Sequence, residues 1–250
     1  MKKSAEKLYG QDFYDEIEQG SLQSAAIIVP RLVSLVRPQS VLDVGCGRGA
    51  WLAIFQNLGI SKILGIDGAH VDRARLLIPS EFFESLDLNR PFELSGRHDL
   101  VLCLEVAEHL PASMAHSLVK TLTKAAPVIV FSAAIPGQGG TGHVNEQWPE
   151  YWRRLFAKEG FEALDPIRKH VWQNESVQWW YRQNLLVYAN AEALNRSEEL
   201  RSSRIGQKEL LPWVHAGILQ RLTGPLGLTR ELPAAIQRGV RNRLCVYRTR

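Results

Sequence analysis

The sequence predicts an α/β protein built on a doubly wound, mostly parallel sheet of seven strands. Short apolar, β-branched segments alternate along the chain with longer amphipathic ones, which is the pattern of strands joined by crossover helices. The first apolar segment runs directly into a glycine cluster that opens a helix, at residues 41–52. A length of 250 residues is enough for one such domain with additional segments.

Apolar spacing, together with glycine and proline, predicts the elements in order. An N-terminal helical cap over residues 1–38 includes a periodic helix from Ala25 to Val36, which ends near Pro38. Helices are expected at 51–58, 71–78, 112–125 and 148–159. Strands are expected at 41–44, 63–66, 82–86, 98–104, 128–133, 161–165 and 184–189. Parallel strands bind ligands at their carboxyl ends, so the residues that follow each strand are the first candidates for a site.

Residues 191–250 differ in charge from the rest of the chain. They carry eleven Lys and Arg against five Asp and Glu, whereas the whole chain has a net charge of +4. Apolar and basic residues mix at helical spacing in 210–222 and 232–244, which predicts a basic, partly helical C-terminal extension after an α/β domain at 39–190. Such a surface suits contact with an anionic membrane surface or a partner protein. The small net charge disfavours nucleic acid as a partner.

Cysteine usage and hydropathy set further limits on the class of protein. Cys46, Cys103 and Cys245 are widely spaced and form no C-x-x-C pair, so neither a disulfide framework nor a zinc site is predicted. No apolar segment is long enough to cross a membrane, and the first residues are polar, unlike those of a signal peptide. We therefore expect a cytoplasmic protein.

The glycine cluster after the first strand has the features of a ligand-binding turn. Asp43 precedes the glycines at 45, 47 and 49, a second strand ends in Asp67 and Gly68, and a third acid follows at Asp87. Glycine lets the chain turn sharply out of the sheet and lets the backbone approach a ligand closely. The G-x-G-x-x-G fingerprint for a pyrophosphate is absent, because the third glycine, Gly49, comes one residue early. A ligand without a phosphate is therefore favoured.

This order of motifs resembles the class I S-adenosylmethionine-dependent methyltransferases over roughly residues 20–190. The resemblance implies a Rossmann-like methyltransferase fold and S-adenosylmethionine as the cofactor. In that family the glycine loop carries the methionyl part, the second-strand acid binds the ribose hydroxyls, and the third acid meets the adenine amino group. On this basis the cofactor-binding residues are Asp43, Gly45, Cys46, Gly47, Gly49, Asp67, Gly68, Asp87, Leu88 and Leu104.

A second constellation follows the fourth strand, where Glu105, Glu108 and His109 share one face if the segment turns helically. Three interpretations stay open. His109 acts as a general base that Glu108 or Glu105 orients. Alternatively, these three side chains and His143 bind Mg²⁺ or Mn²⁺. In the third, the acids cap a helix and the histidine packs inside. An E-x-x-E-H segment with a later histidine also resembles the metal-dependent methyltransferases that modify the terminal ribose of small RNAs.

Two further segments are expected to bind the methyl acceptor. A glycine-rich loop at 131–148 follows the fifth strand, and an aromatic and amide-rich segment at 171–184 lies between the last two strands. The tryptophans of the second segment fit equally well as core anchors. The candidate acceptor-binding residues are Gln138, His143, Asn145, Glu146, Tyr181 and Arg182.

The combined motifs resemble bacterial methyltransferases of glycan and natural-product pathways. This resemblance implies O-methylation of a hydroxyl on a sugar or a sugar-containing small molecule. Two alternatives remain within the enzymes, namely methylation of a terminal RNA ribose and methylation of an amine. An alternative of another class is a non-catalytic, cofactor-binding assembly subunit that acts through its basic extension.

Overall fold

The computed structural model describes residues 11–206 together with 214 and 215, with side chains from residue 18 onward. Its centre is a seven-stranded sheet with the spatial order β3-β2-β1-β4-β5-β7-β6. All neighbouring strands are parallel except β7, which runs antiparallel to both β5 and β6. The strands are β1 Ser40–Val44, β2 Lys62–Asp67, β3 Phe83–Ser85, β4 Leu100–Leu104, β5 Val128–Ser132, β6 Phe161–Leu164 and β7 Leu186–Asn190. The predicted mostly parallel sheet of seven strands is confirmed.

The longer helices lie where apolar residues recur at helical spacing. The α-helices in the described part of the chain are α1 Gln11–Val36, α2 Ala50–Asn57, α3 Ala115–Ala125, α4 Pro149–Lys158, α5 Arg168–Val171, α6 Trp179–Asn184, α7 Ala191–Arg196 and α8 Glu198–Ser202. The predicted helix at 25–36 belongs to the longer α1, which also contains Pro30. Short 3₁₀ turns occupy Arg73–Arg75, Ser80–Phe82 and Ala112–Met114.

The helix predicted at 71–78 is wrong. The side chain of Asp72 accepts a hydrogen bond from the backbone N–H of Ala74 and closes a single 3₁₀ turn, after which Leu76 is extended. The N–H of Leu77 then donates to the carbonyl of Arg48 at 2.8 Å. The segment therefore lies along the glycine loop, and its apolar residues pack there without a helix.

Two hydrophobic cores cover the two faces of the sheet. One contains Ile28 and Leu32 of α1 with Phe55 of α2. The other contains Leu118 of α3 with Phe156 of α4. Every residue of the central strands β4 and β5 is buried, which explains their nearly continuous apolar sequences. The carboxyl ends of β1, β2, β4 and β5 consequently meet at one edge of the sheet, where the polar candidate residues follow.

The chain divides into two compact units, 1–213 and 214–250. In the first, α7 and α8 follow β7, and Leu164 of β6 bridges to Arg204 beyond α8. The helical segments expected at 210–222 and 232–244 lie outside the described residues, apart from residues 214 and 215. None of the helices that the structure describes is long and apolar enough to cross a membrane.

Candidate active site

The glycine loop between β1 and α2 is fixed against the end of β2. The N–H groups of Gly45 and Cys46 both donate to the carbonyl of Ile66, at 2.8 and 3.2 Å. Gly45 has a φ of 80°, and a Cβ atom on it would lie 2.2 Å from Cγ2 of Val106. Gly49 has a φ of 85°, and a Cβ atom there would lie 2.9 Å from Ile78. Both positions therefore require glycine, because the loop packs closely against Val106 and Ile78.

Two carboxylates stand beside this loop. Asp67, at the end of β2, accepts the N–H of Gly47 at 2.7 Å and that of Gly68 at 2.6 Å, one on each oxygen. Asp43 in β1 is buried, and burial followed by the charge of Asp67 raises its pKa to about 8. The structure thus brings Asp43, Asp67 and the glycine loop together, as the sequence predicts.

The remaining predicted cofactor residues occupy several environments. Asp87 follows β3 beside the end of β2, with its carboxylate bonded to Asn89 and paired with Arg90 at 3.3 Å. Cys46 packs against β2, because its sulfur would lie 2.7 Å from a Cβ atom on Gly65, and burial raises the pKa of its thiol. Two further predicted residues, Leu88 and Leu104, are buried apolar side chains.

Glu105 follows β4 in a left-handed conformation with a φ of 54°. Its N–H donates to the carbonyl of Ser132, and its carboxylate accepts N–H groups from Gln138 and Asn184, both at 3.2 Å. Burial raises the pKa of Glu105 in spite of these hydrogen bonds. A non-glycine residue with positive φ costs about 1 kcal/mol, so the surrounding network holds Glu105 in a strained position.

Glu108, His109 and His143 converge next to it, whereas Glu105, the fourth predicted ligand, is not part of this group. Each offers one ligand atom, and these atoms all lie within 4.8 Å of one another. Glu108 is fully buried; Oε1 accepts the N–H of Ala134 at 3.1 Å, and its carboxyl group faces that of Glu105. The two imidazole rings meet edge to face, with centroids 4.8 Å apart.

The protonation states of this cluster follow from its burial. Burial, and then the charge of Glu105, raises the pKa of Glu108 well above its usual value. Burial, and then the neighbouring His143, lowers the pKa of His109 to about 4, so its imidazole is neutral at pH 7. A neutral imidazole offers a lone pair to a metal ion or a proton.

Glu146 orients His143. Its Oε1 lies 2.9 Å from Nδ1 of the imidazole and also accepts the N–H of Gly139, and its Oε2 accepts the N–H of Gly137. Burial alone would raise the pKa of Glu146, but the hydrogen bonds from His143 and the two glycines lower it below its usual value. With Glu146 ionised, the Nδ1–H tautomer of His143 donates this hydrogen bond, and Nε2 then carries the lone pair.

Most other predicted acceptor residues face inward. Gln138 is buried and bonded to Gln183 and Asn184 as well as to Glu105. The Asn145 side chain donates to the carbonyl of Ala107. The phenol of Tyr181 lies 3.2 Å from Ser21 Oγ, and burial raises its pKa to about 12.

Arg182 donates to the carbonyl of Trp172 at 3.2 Å, so it too is engaged with the protein itself. Sequence reasoning did not single out Asn184, Ser132, Glu18 or Arg48, which contact the site. Arg48 and Ser132 lie within the two glycine-rich segments that the sequence indicates, but Asn184 was expected in a strand and no local pattern indicates Glu18.

Comparison with known proteins identifies the family. The methyltransferase-domain family matches residues 19–183. No curated protein sequence matches the chain. One similar solved structure is magnesium protoporphyrin IX methyltransferase from Synechocystis PCC 6803 with bound S-adenosylmethionine. It is 20% identical to this chain, the alignment covers 74% of this chain and 89% of that one, and the TM-score is 0.51.

Two further structures have the same fold. DesVI from Streptomyces venezuelae is 15% identical, with 72% of this chain and 95% of its own covered and a TM-score of 0.53. An O-methyltransferase family protein from Burkholderia thailandensis is also 15% identical, with 74% and 61% covered and a TM-score of 0.53. Because the family match spans more than half of the chain, the protein belongs to the methyltransferase-domain family and is an S-adenosylmethionine-dependent methyltransferase of class I fold.

Proposed function

We propose that this enzyme transfers the methyl group of S-adenosylmethionine to a hydroxyl of a sugar or a sugar-containing small molecule. The observation that carries the proposal is the cluster of Glu108, His109 and His143, which lies beyond β4 at the ligand-binding edge of the sheet. A buried carboxylate with few partners is costly unless a ligand engages it. Glu108 has one backbone hydrogen bond, from Ala134, and a second buried acid, Glu105, beside it, which is a costly arrangement that a bound cation would relieve.

The cofactor half of the site fits S-adenosylmethionine. Gly47, in the middle of the loop, has nothing within 4 Å of the place where a Cβ atom would lie, so the backbone there is open to a ligand. Oδ1 of Asp67 accepts the N–H of Gly68 and lies 3.5 Å from Nε2 of His70, while Oδ2 accepts only the N–H of Gly47 among the described residues, so the carboxylate retains a lone pair for a ribose hydroxyl. Asp87 lies beyond β3, on the side where the resemblance places the adenine.

The acceptor half fits a divalent cation held by Glu108, His109 and His143. One carboxylate and two imidazoles suit Mn²⁺ better than Mg²⁺, which prefers oxygen ligands. Glu146 supplies the outer hydrogen bond that a ligating histidine usually has. A cation bound there would act as a Lewis acid on the acceptor hydroxyl.

Exposed apolar side chains in the glycine-rich loop at 131–148 favour a sugar-containing substrate. Val144 and Trp148 are 67% and 45% exposed; the N–H of Val144 donates to the carbonyl of Glu108 at 2.8 Å, and Trp148 follows Glu146 by two residues. An exposed indole offers an apolar face to a sugar ring, while the hydroxyls reach the polar groups. A hydroxyl at Glu108 and a ring at Trp148 are the two contacts that we propose for the acceptor.

The experiment is a transfer assay with methyl-deuterated S-adenosylmethionine against small glycosides, primary amines and a single-stranded RNA, read by mass spectrometry. We expect a mass gain on glycosides, reduced about 100-fold or more in Glu108→Gln because that residue lies in the reacting cluster. Glu159→Gln is the matched control, since Glu159 also faces a histidine, His116 at 3.8 Å, away from the loop. Labelling of amines or RNA alone would contradict the proposed acceptor.

A further inference from the structure

We propose that Gln183 and Asn184, the last two residues of α6, are positioning residues for the acceptor half of the site. With Gln138 they hold the carboxylate of Glu105 against Glu108, and they thereby fix the place of Glu108 in the cation cluster. The inference rests on the proposed function, which assigns that cluster to a cation. It adds two residues that act through Glu105 and not by contact with the cation. All three amide side chains are buried.

The three amides form one hydrogen-bonded network around Glu105. Nδ2 of Asn184 lies 3.2 Å from Oε1 of Glu105, and Nε2 of Gln138 lies 3.2 Å from Oε2. Nε2 of Gln183 donates to Oε1 of Gln138 at 3.1 Å and to Oδ1 of Asn184 at 2.9 Å. The N–H of Ile135 also donates to Oε1 of Gln138, which identifies that end of the amide as the acceptor. Each oxygen of Glu105 therefore has an amide donor, and Gln183 orients both donors.

The end of α6 is itself fixed by a buried ion pair. Arg168 is 2% exposed, and its guanidinium donates twice to Oδ2 of Asp165, at 2.8 and 3.0 Å. A third hydrogen bond, at 3.1 Å, joins Arg168 to the carbonyl of Gln183. Asp165 directly follows β6, so the ion pair ties α6 to the sheet. The amides of Gln183 and Asn184 thus project from a backbone that the fold holds in place.

The chemistry of these donors distinguishes Glu105 from a purely structural acid. Asp165, which lies away from the cluster, is held by the guanidinium of Arg168. Glu105 is instead held by uncharged amides, and none of the ion pairs among the described residues includes it. A buried acid is usually paired with a cation. A permanent positive charge at Glu105 would repel a metal ion in the neighbouring cluster, whereas amides hold the carboxylate without that repulsion.

Glu105 connects this network to the cluster. Its carboxyl group faces that of Glu108, which supplies the carboxylate ligand atom beside the two histidines. Its backbone has a φ of 54°, a conformation that a glutamate keeps only when its surroundings impose it. Without the amide donors, Glu105 would leave this conformation, and Glu108 would lose the neighbour that limits its rotation. We therefore expect the cation site to be affected, and not the cofactor site.

Calorimetric titration of Mn²⁺ into chelator-treated enzyme saturated with S-adenosylhomocysteine tests the inference. Asn184→Leu keeps the size of the side chain and removes its donors. We expect it to weaken Mn²⁺ binding about tenfold or more, as the loss of an outer hydrogen bond at a metal site does. Gln183→Leu, one hydrogen bond farther from Glu105, should weaken Mn²⁺ binding less. Affinity for S-adenosylhomocysteine should stay unchanged in both variants.

Asn190→Leu is the matched control. The side chain of Asn190 caps α7 by accepting the N–H of Ala193 at 3.0 Å, so its replacement also lowers stability. Asn190 lies at the end of β7 that pairs with the start of β5, whereas the site lies beyond the end of β5. Thermal unfolding measures the loss of stability in all three variants, and Asn190→Leu should bind Mn²⁺ as the unaltered enzyme does.

The outcomes separate this inference from the proposed function. Retained Mn²⁺ affinity in Asn184→Leu, with stability lowered as in Asn190→Leu, would show a structural network and overturn the inference. Equal weakening of Mn²⁺ and S-adenosylhomocysteine would overturn it too.

If the unaltered enzyme binds no Mn²⁺, the cation part of the proposed function fails, and methyl transfer to the glycosides decides the role of Asn184. A lower kcat with an unchanged KM for S-adenosylmethionine in Asn184→Leu would support positioning, and an unchanged kcat would overturn it. If Asn184→Leu does not fold, as judged by circular dichroism, Gln183→Leu decides the question alone.

Discussion

Asp43 is a buried acid whose ionisation opposes folding. Its pKa is about 8 in the folded chain against 3.8 for the unperturbed side chain, and burial is the main cause. The folded state therefore holds a proton that the unfolded state has lost, so this group lowers stability as pH rises between the two values. We expect the free energy of unfolding to fall with rising pH by up to about 1.4 kcal/mol per pH unit, or about 2–4 °C in Tm. Asp43→Asn should abolish this contribution, because an amide does not titrate.

Thermal unfolding between pH 5.5 and 8.5 checks this expectation. The unaltered enzyme should lose more stability across the interval than Asp43→Asn. Parallel curves for the two proteins would show that Asp43 does not titrate there.

Alanine substitutions at Gly45 and Gly59 can distinguish the cost of a steric contact from the cost of backbone strain. Both have positive φ, 80° and 89°, but a Cβ atom would meet Val106 only at Gly45, while nothing lies within 4 Å at Gly59. Gly59→Ala should cost about 1 kcal/mol of unfolding free energy from strain alone. Gly45→Ala should cost about 1–3 kcal/mol more, because the core must shift. Urea unfolding measures both, and equal losses would contradict the steric contact.

Some site residues could be predicted from the sequence, and the orientation of others could not. The glycine loop and Asp67 could be predicted because a short motif specifies a local turn and its ligand. The inward direction of Gln138 and Asn145 could not, because their partners, Asn184 and Ala107, are distant in the sequence. Polar residues in a glycine-rich loop indicate a site, but not whether each side chain faces the ligand or braces the loop.

At the scale of elements, one carboxylate holds together the conformation of the glycine-rich loop at 131–148, which follows β5. Glu146 holds Gly137, Gly139 and His143 at once. Removing such an outer hydrogen bond from a ligating histidine typically weakens metal binding about 10- to 100-fold. We expect Glu146→Gln to weaken Mn²⁺ binding by this amount and to leave affinity for S-adenosylhomocysteine unchanged.

Calorimetric titration of both ligands measures this effect, with Glu162→Gln on β6 as a control, since Glu162 pairs with Arg204 outside the loop. A loss of S-adenosylhomocysteine binding in Glu146→Gln would show that the loop supports the cofactor as well. Unchanged Mn²⁺ affinity would show that Glu146 does not position His143.

Strands and helices with a clear hydrophobic pattern could be predicted from the sequence, whereas the irregular segment at 71–78 could not. The strands around β1, β4 and β5 are buried on both faces and therefore have apolar sequences that few other structures fit. The segment at 71–78 has a helix-like pattern, yet Asp72 closes a single turn and the chain then follows the loop at Arg48. Tertiary contacts with a functional loop outweighed its weak helix propensity.

At the scale of the whole molecule, the charge is unevenly distributed. The α/β unit reaches residue 213, and residues 191–250 carry an excess of Lys and Arg. We propose that the extension contacts an anionic membrane surface or a partner protein. A chain ending at Trp213 should retain its affinity for S-adenosylhomocysteine and its methyl transfer to a small acceptor. Binding to vesicles with anionic lipids should fall, as co-sedimentation can measure. Loss of turnover would show that the extension belongs to the catalytic unit.

We propose that a cofactor half at β1 and β2 meets an acceptor half after β4 and β5. The most direct test is calorimetric titration of Mn²⁺ into chelator-treated enzyme saturated with S-adenosylhomocysteine, beside Glu108→Gln and His143→Ala. The arrangement of Glu108, His109 and His143 predicts one Mn²⁺ per chain, with binding lost in both variants. Absence of binding to the unaltered enzyme, or equal binding to the variants, would contradict the cation site.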